Sequence, residues 1–338
     1  MPVTIKDVAQ DAGVSSSTVS RVMSDDPRIS QETRIKVLDS IKRLDYKINP
    51  MARGLKTNRT YLIGFVCPEL VNDFFMHIAQ GVEQELKKKG YHLLVTSSNE
   101  DIMEEDNQVR MLLDNRVDGI IIIPVSGEGE HFNIPGRIKT PMVLMDRLVR
   151  NFTTDSILCD NINGTYSAME YMITQGYRRI GFIGGDMELT SARERYEGYK
   201  RALRDYQIPL EEEMVLFGDF HIQSGYEMMK RLLSIENPPE SIFVSNYFMQ
   251  VGASRFLLEN RKGHLPFMAG FDDMELTSVL GLSQITVTQP MKEMGITAAN
   301  LLINRISGFD RSLPRIIRLK PRLCISKNRY PIKDNTKD

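Results

Sequence analysis

From Tyr61 onward the sequence alternates short apolar runs with longer amphipathic ones, and this alternation leaves few folds open. Residues 63–66, 92–96, 119–123 and 142–145, then 180–183, 215–217, 242–244 and 268–271, have the length and the aliphatic content of buried strands. Helical spacing is expected near 74–89 and 101–115 in the first set, and near 161–175, 189–206, 222–234 and 247–262 in the second. Strands alternating with helices build parallel sheets covered by helices on both faces. Two sets of runs predict two lobes.

Ligands of such sheets bind beyond the carboxyl ends of the strands, so the residues that follow each strand carry the functional expectation. Those residues are Asn72, Phe74 and Phe75 after the first strand, Asp146 and Arg147, then Arg195, Phe220, Asn246, Asp272 and Gln289. Carboxylates, guanidinium groups and amides beside aromatic rings suit a polyhydroxylated small molecule, whose hydroxyls donate and accept while its C–H faces lie on rings. Each residue also has a plainer role open to it. Phe74 and Phe75 can be core, Asp146 and Arg147 a structural ion pair, and Asp272 with Asp273 a helix cap. Their common position after strand ends favours the ligand reading.

The first 60 residues are of another kind. In TIKDVAQDAGVSSSTVSR, Thr4 is placed to cap a helix with Asp7 three residues on, and Ile5, Val8, Ala9 and Ala12 share one face. Gly13 allows the left-handed backbone that ends a helix and reverses the chain. Ser15 then caps a second helix, whose Val19 and Val22 point inward. Ser16, Ser17, Thr18, Ser20 and Arg21 remain outward, hydroxyls and a guanidinium that hydrogen-bond base edges and phosphates. A third helix starts at Ser30, with Ile35, Leu38, Ile41 and Leu44 expected to close a three-helix core. Arg28, Ser30 and Thr33 stand at its start, where backbone N–H groups also attract phosphate. Ser30 serves equally as a plain cap.

Charge follows the same division. Residues 1–60 hold 11 Lys or Arg against 7 Asp or Glu, a net of +4, and the remainder holds 32 against 37, a net of −5. The basic head suits nucleic acid. Asn49 and Pro50 prepare a short helix over NPMARGLK, but isolated helices below about 12 residues are marginal in water. With Arg53 and Lys56 around it, this segment is expected to fold on DNA, leaving Leu55 as an apolar wedge for the minor groove. An ordinary basic linker is the plainer reading.

The motifs TIKDVAQDAGVSSSTVSRV, ARGLK and IGF together resemble the lactose-repressor/purine-repressor (LacI/GalR) family of bacterial transcription factors, over essentially the whole chain. The resemblance implies that Ser16, Ser17 and Arg21 read bases and that Leu55, with Lys56 beside it, opens the central base step. It places Arg195 in an R-x-x-G-Y pattern with Gly198 and Tyr199, and Asp272 in GFDD, and it likens Asp146-Arg147 to the pair of ribose-type members. Asp73, where Pro is frequent, and Tyr247 with Phe248, where an acid is usual after Asn246, depart from the pattern. They imply a ligand different from plain ribose.

The expected organisation is a helix-turn-helix domain over 1–48, a hinge helix and linker over 49–60, a two-lobed effector-binding and dimerisation body over 61–330, and a polar tail over 331–338. The lobes are expected near 61–160 with 291–321, and near 161–290 with 322–330. Operator DNA, a carbohydrate effector and a second copy of the chain are the expected partners. Three widely spaced cysteines and no apolar run of about 18 residues suit a reduced, cytoplasmic protein with no membrane partner. No cofactor or metal is expected: G-x-G-x-x-G, the P-loop, H-E-x-x-H and G-x-S-x-G are absent, and the five histidines read as surface or packing residues. The alternatives are a regulator answering to a phosphorylated carrier protein and, in another class, an enzyme or a sugar-binding protein with no DNA role. Residues 1–60 weigh against the last two. Leu55→Ala is expected to weaken specific operator binding and leave non-specific binding nearly intact, because phosphate contacts supply the latter. Fluorescence anisotropy on operator and random DNA measures both, and equal losses on the two would remove the wedge role.

Overall fold

The computed structural model describes residues 3–23, 26–46, 59–134, 140–260, 265–272 and 283–325, and it divides into two compact units, Met1–Thr60 and Tyr61–Asp338. In the first, α1 (Ile5–Asp11), α2 (Ser16–Met23) and α3 (Gln31–Arg43) form a small bundle around Val8, Ala9, Val19, Val22 and Val37. The Thr4 amide and hydroxyl both bond to Asp7 Oδ2, at 2.8 and 2.7 Å, which starts α1. Gly13, at φ +67°, turns the chain toward α2. Ser40 donates to Asp11 Oδ2 at 2.6 Å and Arg43 donates to the same oxygen, tying α3 to α1.

The face of α3 differs from expectation. Ile35 and Leu38 are half exposed, while Val37 and Ser40 are buried and Ile41 and Leu44 pack against the core. Two overlapping apolar stripes run along this helix, and the Ser40–Asp11 bond selects the one containing a polar residue. Periodicity alone favoured the more apolar stripe.

In the second unit the chain runs through β1 (Leu62–Cys67), α4 (Asp73–Lys88), β2 (His92–Ser97), α5 (Ile102–Asp114), β3 (Gly119–Ile122), β4 (Met142–Met145) and β5 (Asp155–Cys159). It continues with α6 (Asn161–Thr174), β6 (Ile180–Gly184), α7 (Thr190–Asp205), β7 (Val215–Phe217), α8 (Ile222–Leu232), β8 (Ser241–Val244), α9 (Tyr247–Glu259), β9 (Phe267–Phe271) and β10 (Ile285–Thr288). It closes with α10 (Met291–Ile306), β11 (Ile316–Leu319) and β12 (Arg322–Ile325). One sheet has the order β11-β5-β4-β3-β1-β2 and is parallel throughout. The other has the order β12-β10-β9-β8-β6-β7 and is parallel except for β12.

Side chains alternate between the two faces of each sheet. Ile63, Phe65 and Cys67 of β1 enter the core beneath α4 and α10, while Val66 enters the one beneath α5. In the second lobe Phe182, Phe243 and Phe271 meet α6 and α7, and Ile183, Val244 and Met268 meet α8 and α9. The chain passes between the lobes three times, after β5, after β10 and after β11. Elements β5, β10, β11, β12 and α10 lie outside the strands and helices expected from the sequence. Strands β11 and β12 carry outward arginines and are mostly exposed, and β5 opens on Asp155 and Ser156, so the apolar signal of a buried strand is diluted.

Helices α4 and α10 approach backbone to backbone. A Cβ on Gly295 would run into the Ile78 carbonyl oxygen, and one on Gly81 into that of Lys292. Forced overpacking costs about 1–3 kcal/mol, and backbone on the far side leaves little room to relax. Gly295→Ala is therefore expected to lower the unfolding free energy of the body by at least about 1 kcal/mol in urea titration, although Ala is the better helix former by roughly 1 kcal/mol.

Candidate functional site

Parallel strands that end on one side leave their following residues facing a common space. Here the ends of both sheets border a cleft enclosing about 550 Å³ of space between atoms, open solvent included. Nine of the ten body residues expected at the site line it: Asn72, Phe74, Phe75, Asp146, Arg147, Arg195, Phe220, Asn246 and Asp272. The tenth, Gln289, lies behind Asp272 and donates to its Oδ1 at 2.6 Å. Tyr247 and Phe248 line the cleft as well, while Asp73 is exposed at the start of α4.

Two of these residues hold helix ends. Asn72 accepts from the Phe74 amide at 3.1 Å, and Asn246 accepts from Met249 at 3.0 Å while donating to the Phe220 carbonyl at 2.9 Å. Phe74 and Phe75 are both core and lining, buried in an edge-on pair with ring centroids 5.4 Å apart. The two roles do not compete, because one ring face can pack while another meets a ligand.

The charged groups are deeply placed. Arg195 donates from Nε to Asn161 Oδ1 at 3.0 Å and from Nη1 to the Ser245 carbonyl at 2.6 Å, with its guanidinium 3.8 Å above the Phe271 ring. Arg147 donates to the Pro124 carbonyl at 2.8 Å and lies 3.5 Å from Asp146. Asp146 Oδ1 and Arg147 Nε are buried with no hydrogen-bond partner among the described residues, which is costly unless something else supplies one. Asp146, Phe220 and Asp272 also hold left-handed backbone, at φ 63°, 71° and 71°. Such conformations cost on the order of 1–3 kcal/mol each and concentrate at functional sites.

Burial pushes the Asp272 carboxyl up to about 6, against Arg195 and the Gln289 hydrogen bond, which pull it down. A further chain leads from Arg195 through Asn161 to Glu194, which pairs with Arg318 at 2.6 Å. Arg318 lies on β11 in the first sheet and Glu194 on α7 against the second, so this ion pair spans the lobes.

Four lining residues lie outside the expected set: Glu69, Glu100, Ser191 and His221. Applying the strand-end rule to β2 as well as to its neighbours points to Glu100, and Glu69 follows β1 in the same way. His221 counted as a surface or packing residue; in the fold it adjoins Phe220 and reaches Glu100 across the cleft at 3.1 Å. No sequence pattern marks a pairing between residues 121 positions apart.

In the head, Ser15 caps α2 by accepting from the Thr18 amide at 3.2 Å and shares hydroxyl bonds with Ser17 and Thr18 at 2.7 and 2.9 Å. Ser17 and Arg21 are exposed, and Ser16, Thr18 and Ser20 half-buried, beside buried Val19 and Val22. Arg28 is exposed and paired with Asp26 at 2.7 Å, and Ser30 caps α3 by accepting from Thr33 at 3.3 Å. Thr4 is exposed at the start of α1. Asn49, Arg53, Leu55 and Lys56 of the expected hinge, Asp273 and the 331–338 tail lie outside the described residues.

A three-helix head of helix-turn-helix form before a two-lobed, parallel-sheet body defines a class of regulators built on a binding-protein scaffold. Residues 4–49 match the family of bacterial regulatory proteins named for LacI, and residues 60–327 match periplasmic binding proteins and the sugar binding domain of that family. The chain is 33% identical over 330 residues to the HTH-type transcriptional repressor PurR of Haemophilus influenzae (strain PittEE), covering 96% of this chain and 98% of that one. Among solved structures it is similar to the lac repressor dimer bound to operator and the anti-inducer ONPF, with a TM-score of 0.84, 26% identity, and 96% and 98% of the two chains covered. A complex of the transcriptional regulator CelR with cellobiose gives 0.73, 27%, and again 96% and 98%. The chain belongs to the LacI family of bacterial regulatory proteins and is a DNA-binding transcriptional repressor.

A buried carboxyl with a raised pKa weakens the fold as it ionises. Relative to its ordinary value of 3.8, Asp272 at about 6 leaves stability intact below pH 4 and removes it progressively as the pH rises to 6. That difference corresponds to about 3 kcal/mol above pH 6. Asp272→Asn is expected to gain on the parent by about 2–3 kcal/mol between pH 4 and pH 7 in urea titrations, since it abolishes this ionisation.

Proposed function

We propose that this repressor is a cytoplasmic homodimer that binds a pseudo-palindromic operator and is controlled by a carbohydrate or carbohydrate derivative in the interlobe cleft. Residues 1–48 would read half-sites through Ser16, Ser17 and Arg21, residues 49–60 would pair as hinge helices over the operator centre, and the body would bind effector and dimerise. The buried Asp146 Oδ1 and Arg147 Nε, which have no hydrogen-bond partner among the described residues, carry the effector reading: a hydroxyl donates to the first and accepts from the second. The rings of Phe74, Phe75, Phe220, Tyr247 and Phe248 around them suit the C–H faces of a sugar. Both the description of the matching family and the cellobiose complex of a similar regulator support this class.

Control follows from linkage. An effector that prefers one interlobe angle by about 1–3 kcal/mol changes operator affinity by a factor of about 5 to 150. An effector preferring the DNA-competent angle acts as co-repressor, and one preferring the other as inducer. No step in this scheme needs catalytic chemistry.

The test is to select operators from random duplexes with the purified chain and then titrate sugars against the selected DNA by anisotropy. Arg195→Ala is expected to abolish the response to whichever sugar acts while operator affinity stays within about threefold, with thermal unfolding reporting that the body still folds. A normal response in that variant would remove Arg195 from the effector site.

A further inference from the structure

The mouth of the cleft carries a charge pattern that its interior does not. His221, from the connection between β7 and α8, stands 3.1 Å from Glu100 and 4.0 Å from Glu69, which follow β2 and β1 in the other lobe. Asp219 lies 3.4 Å from the other ring nitrogen. Three carboxylates therefore surround one imidazole. Burial alone pulls His221 down, but Glu100, Asp219 and Glu69 outweigh it and raise its pKa. Burial also raises that of Glu100.

In the interior, charges are already matched. Arg147 has Asp146 beside it, and Arg195 is bonded to Asn161 and Ser245 and acts on Asp272. Two of the helix starts that face the cleft, those of α4 and α9, spend backbone N–H donors on the Asn72 and Asn246 caps. The starts of α7 and α8 carry no side-chain cap, but the cations beside them are Arg195, already bonded, and His221, outnumbered by acids. An anionic ligand would thus meet four lining carboxylates, Glu69, Glu100, Asp146 and Asp272, against two guanidinium groups, Arg147 and Arg195, whose charge Asp146 and Asp272 already offset. Binding sites for carboxylates and phosphates are built the other way, with convergent cations in excess over the acids.

We infer that Glu69, Glu100 and His221 form a charge filter at the cleft mouth, which admits neutral and amine-bearing carbohydrates and rejects sugar acids and sugar phosphates. The inference rests on the carbohydrate reading above and narrows it. Glu69 and Glu100 repel an anionic substituent and accept hydrogen bonds from hydroxyl or ammonium groups, while His221 offsets part of their charge. The two kinds of residue therefore act in opposite directions on the same discrimination.

The experiment uses the full chain at low ionic strength, where partly exposed charges are least screened. Calorimetry is run with matched sets: glucose, glucosamine, glucuronate and glucose 6-phosphate; the same four galactose compounds; ribose and ribose 5-phosphate; and cellobiose with cellobionate. In any set that binds, the neutral or amino member is expected to bind at least tenfold more tightly than its acid or phosphate. The double variant Glu69→Gln/Glu100→Gln is expected to shrink that ratio several-fold, and His221→Gln to enlarge it. The readout is a ratio, so a general loss of affinity in a variant does not imitate the result, and a merely structural role would not move the two variants in opposite directions. An acid or phosphate that binds as tightly as its neutral parent overturns the filter, as does a ratio unchanged in the variants. Binding in no set overturns the carbohydrate reading and the filter together, whereas binding without charge order overturns the filter alone.

Discussion

Two sheets, one wholly parallel and the other parallel except for β12, are joined by three short crossings, and this constraint brings both sets of strand ends to one cleft. Each sheet is held rigid by helices on both faces, with apolar cores that contain few polar atoms. The crossings after Cys159, Thr288 and Leu319 are one or two residues long, so they hold the two lobes close together. The strand ends border one cleft, and a ligand there touches both lobes at once.

The charged groups in that cleft are tied to both lobes. Arg195 is fixed by Asn161, by the Ser245 carbonyl and by the face of Phe271, and Asn161 is held by Glu194, whose partner Arg318 lies on the other sheet. Arg195 is thus two side chains removed from an ion pair that spans the two lobes. Left-handed backbone at Asp146, Phe220 and Asp272, the buried Asp272 carboxyl and the unpartnered atoms of the Asp146–Arg147 pair all weaken the ligand-free body. A stability-optimised protein would lack them; a site that must gain on binding keeps them.

Much of this was legible before any coordinate. The eight apolar runs between residues 63 and 271 all became strands: six are buried along nearly their whole length and so must be apolar at almost every position, while the edge strands β2 and β7 are partly exposed yet keep enough aliphatic residues to be seen. Strands β11 and β12, mostly exposed and carrying arginines, do not announce themselves. The strand-end rule found Asn72, Asp146, Arg147, Arg195, Asn246 and Asp272 because sequence position along a parallel strand is also position in space. It passed over Glu69 at the end of β1 in favour of the residues at the start of α4, and it missed Glu100 because the end of β2 was not considered. In the head, helical periodicity assigned Ile35, Leu38, Ile41 and Leu44 to the core; Ile41 and Leu44 pack there, but Ile35 and Leu38 are half exposed and Val37 and Ser40 take the buried positions, with Ser40 bonded to Asp11.

By itself the sequence determined the architecture and the family: hydrophobic period and length dictate strand or helix, and the capped, glycine-turned serine-rich head and the basic NPMARGLK segment are local signals that need no partner. Only the tertiary structure decided which groups meet across the cleft. Glu100 and His221 are 3.1 Å apart and 121 residues distant in the chain, and Arg318 reaches Glu194 over 124. Pairings of that range leave no local periodicity, because they depend on where two rigid lobes stop against each other and not on the residues beside either partner.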